Sequence, residues 1–169
     1  FADGPVAGLL GAQTSVDLTA RLKDRKADLD GRFASDAAQL GVSGRVDLGN
    51  SRYDALKLAL NILRPNAIAP AVRANGLRAT AQLDGAFALP TVEYRANANS
   101  LAVNDIIVET LSLAGRARVD ADQIVIPVAG SAARIRGLDT VAGGTLTQVR
   151  LNGDLAYANG RILSDNLRL

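Results

Sequence analysis

Leu77-Arg78-Ala79-Thr80-Ala81-Gln82-Leu83-Asp84-Gly85-Ala86-Phe87 alternates apolar and polar residues almost one for one. Successive side chains of a β-strand point to opposite faces, so this spacing predicts a strand with one aliphatic face and one wet face. The aliphatic set is Leu77, Ala79, Ala81, Leu83, Gly85 and Phe87. The stretch ends in a pattern Φ-x-G-x-Φ, here Leu83, Gly85 and Phe87. The pattern recurs at Leu29/Gly31/Phe33, Val42/Gly44/Val46, Leu113/Gly115/Ala117 and Leu151/Gly153/Leu155. A glycine inside a strand has no side chain to pack and marks a bend or a bulge. Five such strands predict an all-β protein: one long antiparallel sheet, bent repeatedly, with short helical turns at its connections. The five glycines are unevenly spaced, which argues for a meander of hairpins instead of a tight solenoid.

Working outward, the same alternation gives the other strands. Val16, Leu18, Ala20 and Leu22 form a first strand, closed by the charged turn Lys23-Asp24-Arg25-Lys26. Leu29, Gly31 and Phe33 return from it. Leu40, Val42, Gly44, Val46 and Leu48 follow, ending at Gly49-Asn50-Ser51. From Tyr53 to Leu63, Leu56, Leu58, Leu60 and Ile62 recur at every second position, a spacing that would wrap around a helix instead of striping it. Pro65 and Pro70 interrupt the rhythm, and a helical turn with Asn66 as its cap is expected here, in a connection crossing to the next run of strands. Val92, Tyr94, Ala96 and Ala98 give another strand. Asn104-Asp105 turns, and Leu111, Leu113, Gly115, Ala117 and Val119 continue inward. Asp120-Ala121-Asp122 is a further turn. Gln123 to Ile135 contains Pro127, which predicts an edge strand or a bulge. A short helical turn is expected between Leu138 and Gly144. Gln148–Tyr157, with Leu151 and Leu155 inward, and Arg161–Leu169 flank Asn159-Gly160, the strongest local hairpin signal.

Composition bounds the function. The 169 residues suffice for one domain, read as a single segment 1–169 with 1–64 and 65–169 as candidate sub-units. The chain opens at Phe1 and is expected to be a fragment or a processed product. No run approaches the ~18 apolar residues of a membrane span, and nothing basic precedes Leu9-Leu10 as in a signal peptide. A net charge of +2 makes no case for nucleic acid as a partner. Cys, His, Met and Trp are all absent, which removes thiolate chemistry and the usual ligands of zinc, copper and haem. No metal, cofactor or catalytic residue is expected. Asp28-Leu29-Asp30-Gly31 resembles the start of a calcium loop but lacks an acidic closing ligand. Gly4, Gly8 and Gly11 match no phosphate-binding fingerprint. Glu93 and Glu109, the only glutamates, would need a shared pocket to act as an acid/base pair. Serine and threonine lack a histidine base. Arg116, Arg118, Arg134 and Arg136 read as a solvated outer face, with attraction of lipid phosphates as the sharper alternative.

The run Leu60-Asn61-Ile62-Leu63-Arg64-Pro65 leading to Leu83-Asp84-Gly85-Ala86-Phe87-Ala88-Leu89-Pro90, and Val141-Ala142-Gly143-Gly144-Thr145-Leu146 followed by Val149-Arg150-Leu151-Asn152-Gly153-Asp154-Leu155, are similar to the TamB group of the AsmA-like proteins. The resemblance covers most of residues 50–169. It implies a segment of a periplasmic protein of a Gram-negative bacterium, anchored in the inner membrane by parts outside this chain. It further implies a sheet folded into an open aliphatic trough that carries phospholipid acyl chains between membranes. A TamA-type outer-membrane barrel is the implied partner, with a role in outer-membrane protein assembly. The lining expected of such a trough is Val16, Leu18, Leu22, Leu29, Phe33, Leu40, Val42, Val46, Leu48, Leu56, Leu58, Leu60, Ile62, Leu77, Leu83, Phe87, Val92, Tyr94, Leu111, Leu113, Val119, Leu151 and Leu155. The alternation alone favours a closed β-sandwich acting as a structural or adhesive domain, the commoner architecture, and the resemblance reverses that preference. Exposed strand edges would let the chain self-associate end to end.

Overall fold

The alternating segments form strands as their spacing demands. The structure is a computed structural model and describes residues 13–119, 124–138, 144–158, 161–164, 166 and 168. In chain order the elements are β1 (Thr14–Lys23), β2 (Lys26–Ser35), β3 (Ala38–Asp47), β4 (Arg52–Ile62), α1 (Pro65–Ile68), β5 (Val72–Asn75), β6 (Arg78–Ala86), β7 (Thr91–Val103), β8 (Ile106–Val119), β9 (Ile124–Arg136), β10 (Thr145–Ala158) and β11 (Arg161–Leu163). They make one antiparallel sheet in the order β1-β2-β3-β4-β6-β7-β8-β9-β10-β11, open at both ends. Short β5 pairs with the far half of β7, so β5 and β6 together span that one long strand. They are separated by Gly76 at φ 65°. Among the described residues there is no second sheet of the kind a sandwich requires. The elements that pack closely are hydrogen-bonded neighbours, apart from α1 against β5.

Local chemistry sets the hairpins. Asp24 and Arg25 sit at φ 49° and 60° between paired Lys23 and Lys26, a two-residue turn whose twist matches that of the strands. At the β3–β4 turn the Asn50 backbone N–H and side-chain amide donate to the Asp47 carboxylate, each at 2.9 Å. Those bonds hold the Asp47 carboxyl below its ordinary range. Four expectations change. The helical turn starts at Pro65 behind Arg64, with no side-chain capping bond, so Asn66 is not its cap. The segment around it makes no crossover, because β4 and β6 are direct neighbours. Pro127 lies in β9, an inner strand flanked by β8 and β10. After β11 no further strand is formed among the described residues: Arg168 bridges to Asn152, and Asn166 accepts from the Asp154 N–H and donates to its carboxylate, each at 2.7 Å. The turns expected at Asp120–Asp122 and Asn159-Gly160, the helical turn after Leu138, and Gly4, Gly8 and Gly11 fall wholly or mainly outside the described residues.

The period of two breaks, in step, across neighbouring strands. Pairing skips Asn99 with Thr110 between β7 and β8, Thr110 with Ala133 between β8 and β9, and Ala133 with Gln148 between β9 and β10. Thr110 and Gln148 take φ 54° and 53° there. An irregularity of this kind re-aims every following side chain. Beyond the break the aliphatic row is Ala74, Leu101, Val108, Ile135 and Leu146, in register across five strands. Strict alternation would instead have turned Ser100, Glu109, Arg134 and Thr147 onto that face. A similar shift in β4 at Ala55 (φ 53°) puts Tyr53 and Leu56 on one side. The Ala55 N–H, left over by the shift, donates to Asp84 Oδ1 at 2.8 Å.

A β-branched residue at positive φ is strained by about 1–3 kcal/mol. Thr110→Gly is therefore expected to raise the melting temperature, while Ser112→Gly, in ordinary strand two positions on, lowers it. Thermal unfolding followed by circular dichroism makes the comparison.

Candidate functional site

Register turns the alternation into a continuous surface. One row crosses nine strands as Val16, Phe33, Leu40, Leu60, Ala79, Ala96, Leu113, Gly130 and Leu151, with no polar residue in it. The next runs Leu18, Gly31, Val42, Leu58, Ala81, Tyr94 and Gly115. A third joins Leu56, Leu83, Val92 and Ala117. The rows between them, such as Asp17, Arg32, Gly41, Ala59, Thr80, Arg95, Ala114, Ala129 and Asn152, belong to the opposite face.

Among the described residues no large side chain of the aliphatic face is fully buried, and the buried apolar residues are mostly alanines such as Ala98, Ala117 and Ala132. Val16, Leu18 and Leu22 on β1 are 65–68% exposed. In the middle of the sheet Leu56 is 8% exposed, covered by same-face neighbours. The strand glycines make that covering work. A Cβ on Gly31 would meet Leu18 Cδ1 at 2.7 Å, and one on Gly130 would meet Leu113 Cδ2 at 2.6 Å. Each large side chain lies down over the glycine paired with it on the next strand. This is the cross-strand rescue by which a strand glycine regains packing.

Tyr94 is the most developed case. Its ring covers Gly115, and its hydroxyl reaches across β8 to donate to the Pro127 carbonyl on β9 at 2.8 Å. Proline has no N–H, and the β8–β9 ladder is interrupted from Gly115 to Ala117. The Pro127 carbonyl swings over Gly115, 1.9 Å from where a Cβ would stand, and Tyr94 satisfies it. Burial lifts the Tyr94 hydroxyl above its ordinary pKa.

The expected lining residues are distributed as follows. Val16, Leu18, Leu22, Leu29, Phe33, Leu40, Val42, Val46, Leu56, Leu58, Leu60, Leu83, Val92, Tyr94, Leu113 and Leu151 occupy strand positions in or beside these rows. Ile62 pairs with Ala38, Leu111 with Ala98, Val119 with Ile124 and Leu155 with Ile126. Leu77 precedes β6, its carbonyl accepting from the Ile62 N–H. Leu48 lies in the β3–β4 turn, 48% exposed, and Phe87 follows β6 with its ring 4.8 Å from Tyr53. Unforeseen members are Val108, Ala132, Ile135 and Val149. With Leu111, Leu113, Ser131 and Leu151 they wall a hollow of about 170 Å³ beside the phase break. The signal was present in Val108 and Leu111, whose spacing of three betrays a shift.

The opposite face is charged and paired. Arg45 bridges Asp28 (2.9 Å) and Asp54 (3.7 Å), Arg116 meets Glu93, and Arg134 (3.5 Å) and Arg136 meet Glu109. Apart from Glu109, which is 28% exposed, these side chains are about half or more in solvent, where such pairs are worth little. Asp28 lies inside β2, not in a calcium loop, and no metal-ligand cluster occurs among the described residues. Glu93 and Ser100, the partner of Glu109, are seven residues apart on β7, roughly 23 Å along a strand. The two carboxylates therefore share no pocket. The larger hollows on this face are open basins: one of about 630 Å³ around Lys57, Gln82, Arg95 and Arg116, one of about 950 Å³ around Thr110, Ala133 and Gln148.

Fold and site together define a class: a single-layer antiparallel sheet with one continuous aliphatic face that no other layer of the described protein covers. Comparison with protein-family models, curated proteins and solved structures returns no match for this chain.

Gly115→Ala, which drives a methyl into a backbone carbonyl, is expected to cost about 1–3 kcal/mol. Gly41→Ala, whose methyl would first meet Ala59 Cβ at 3.9 Å, is expected to be near neutral; chemical denaturation separates them. Because the Tyr94 proton is held more tightly in the folded than in the unfolded chain, its stabilising contribution is complete below about pH 10. That contribution is lost as pH rises through the folded pKa. Tyr94→Phe should be about 1 kcal/mol less stable at neutral pH and show a shallower alkaline loss.

Proposed function

We propose that this chain is a segment of a lipid-conducting bridge in the periplasm, which shields phospholipid acyl chains on its aliphatic face while their head groups stay in water. The observation that carries the reading is the nine-strand aliphatic row without a covering layer. Moving an acyl chain through water costs about 0.8 kcal/mol per CH₂, so a two-chain lipid needs continuous apolar contact along its route. Rows of Leu, Val, Ala and Gly offer that contact with few polar atoms to hold the lipid in place. The likeness of residues 50–169 to the TamB group points the same way. It supplies the rest of the reading: an inner-membrane anchor elsewhere in the parent protein, a TamA-type barrel as outer-membrane partner, and a contribution to outer-membrane protein assembly. No catalytic step is part of this function.

The purified chain is expected to release phospholipid on organic extraction, detected by mass spectrometry. Leu58→Asp should remain folded, losing about 1 kcal/mol, because its carboxylate stays solvated on an uncovered face. It should retain little lipid. A wild-type chain that is lipid-free and equally stable with or without phospholipid would sink the reading. So would global unfolding of Leu58→Asp, the response of a sealed core.

A further inference from the structure

We propose that the hollow around Thr80, on the charged face, binds an anionic saccharide: sugar units bearing phosphate, sulfate or carboxylate groups. Two hollows of about 630 and 290 Å³ meet there and share Ala59 and Thr80. Lys57, Arg95 and Arg116 line the larger, and Arg78 lines the smaller. Arg95 on β7 pairs directly with Thr80, while Arg78 and Gln82 flank Thr80 two positions away on β6. Lys57 on β4 pairs with Gln82. Positions related in this way lie about 5–8 Å apart, within reach of long side chains. An anion above Thr80 therefore meets cations from β4, β6 and β7. These are inner strands, so neither end of the sheet takes part. The inference stands on the charged face and does not depend on lipid binding to the aliphatic one.

The whole chain carries a net charge of only +2. Yet among the described residues the two hollows gather Arg32, Lys57, Arg78, Arg95 and Arg116 around one acid, Glu93, which Arg116 already engages. Elsewhere on this face arginines are matched, Arg45 by Asp28 and Asp54, Arg134 and Arg136 by Glu109. Among the described residues Lys57, Arg78 and Arg95 have no ion-pair partner and the Thr80 hydroxyl has no hydrogen bond, and all four are exposed. Unmatched like charges gathered in a concavity concentrate a field that draws anions. The neutral lining decides which anion. Ser43, Asn61 and Gln82 add hydroxyl and amide groups that both donate and accept, as a hydroxylated ligand requires. The rows across the hollow, Ala59-Thr80-Arg95-Ala114 and Lys57-Gln82-Glu93-Arg116, carry no aromatic ring on which the bases of a single-stranded nucleic acid would stack. A peptide is held along a strand edge or by apolar anchors, and Ala59 and Thr80 offer neither. The larger hollow has the volume of an ordinary ligand cleft, about 300–1,000 Å³.

In isothermal titration calorimetry the chain should bind a heparin hexasaccharide and ignore an uncharged dextran of the same length. Arg95→Ala and Arg78→Ala should each weaken binding about tenfold, the loss of one charged hydrogen bond. Arg21→Ala removes an equal charge from the same face, on β1 and away from the hollow, and should leave binding unchanged. Thr80→Phe keeps every charge but fills the floor of the hollow, and should weaken binding as much as Arg95→Ala. All four positions are exposed, so circular dichroism should show each variant folded. A wild type that does not bind heparin, an Arg21→Ala chain as impaired as Arg95→Ala, or indifference to Thr80→Phe would each overturn the proposal. So would a hexaglutamate peptide that displaces the saccharide at equal concentration, which would make the ligand an acidic peptide.

Discussion

A sheet with no second layer can dry its aliphatic side chains only against one another on the same face. That constraint shapes the rest of this structure. Large side chains cannot stand upright into a core, so they lie down, and they need something low to lie on. Gly31 under Leu18, Gly130 under Leu113 and Gly115 under Tyr94 supply it. Gly31 and Gly115, two of the five Φ-x-G-x-Φ glycines, and Gly130 are thus seats for a side chain of the neighbouring strand. Burial follows accordingly, complete for small residues such as Ala38 and Ala98 and partial for the leucines between them.

The second consequence concerns phase. A face continuous over strands of ten or more residues must survive the local irregularities that bend them. β8, β9 and β10 shift phase together, at Thr110, Ala133 and Gln148, so Val108 and Ile135 replace Glu109 and Arg134 on the aliphatic side. A shift in one strand alone would have set a charged residue in the row. The conformational cost sits at a few residues with positive φ, and at Ala55 a side-chain carboxylate on the next strand stabilises the irregularity directly. At Pro127 the same problem has a different solution, with a tyrosine hydroxyl supplied from two strands away.

The two faces divide the labour. The wet face carries exposed ion pairs strung between neighbouring strands, which contribute little stability. The aliphatic face leaves apolar surface that water meets at a cost, greatest toward β1. An apolar ligand along the face is one way of meeting that cost.

Alternation in Leu77–Phe87 and its counterparts was enough to determine that the chain is β throughout, where most strands begin and end, and which residues share a face within one strand. That follows because side-chain direction in a strand is a local property with a period of two. The number of layers was not legible: Leu56, Leu58, Leu60 and Ile62 read the same in a sandwich and in an open sheet, since alternation records one buried face and not what buries it. Nor was the placement of Pro127 in an inner strand, where its carbonyl accepts from Tyr94, 33 residues away in sequence. The in-step shift at Thr110, Ala133 and Gln148 was decided by tertiary structure for the same reason. The register is the same on both sides of the break, so a phase change in one strand keeps the row apolar only when its neighbours change with it, and that agreement is made between segments, not within them.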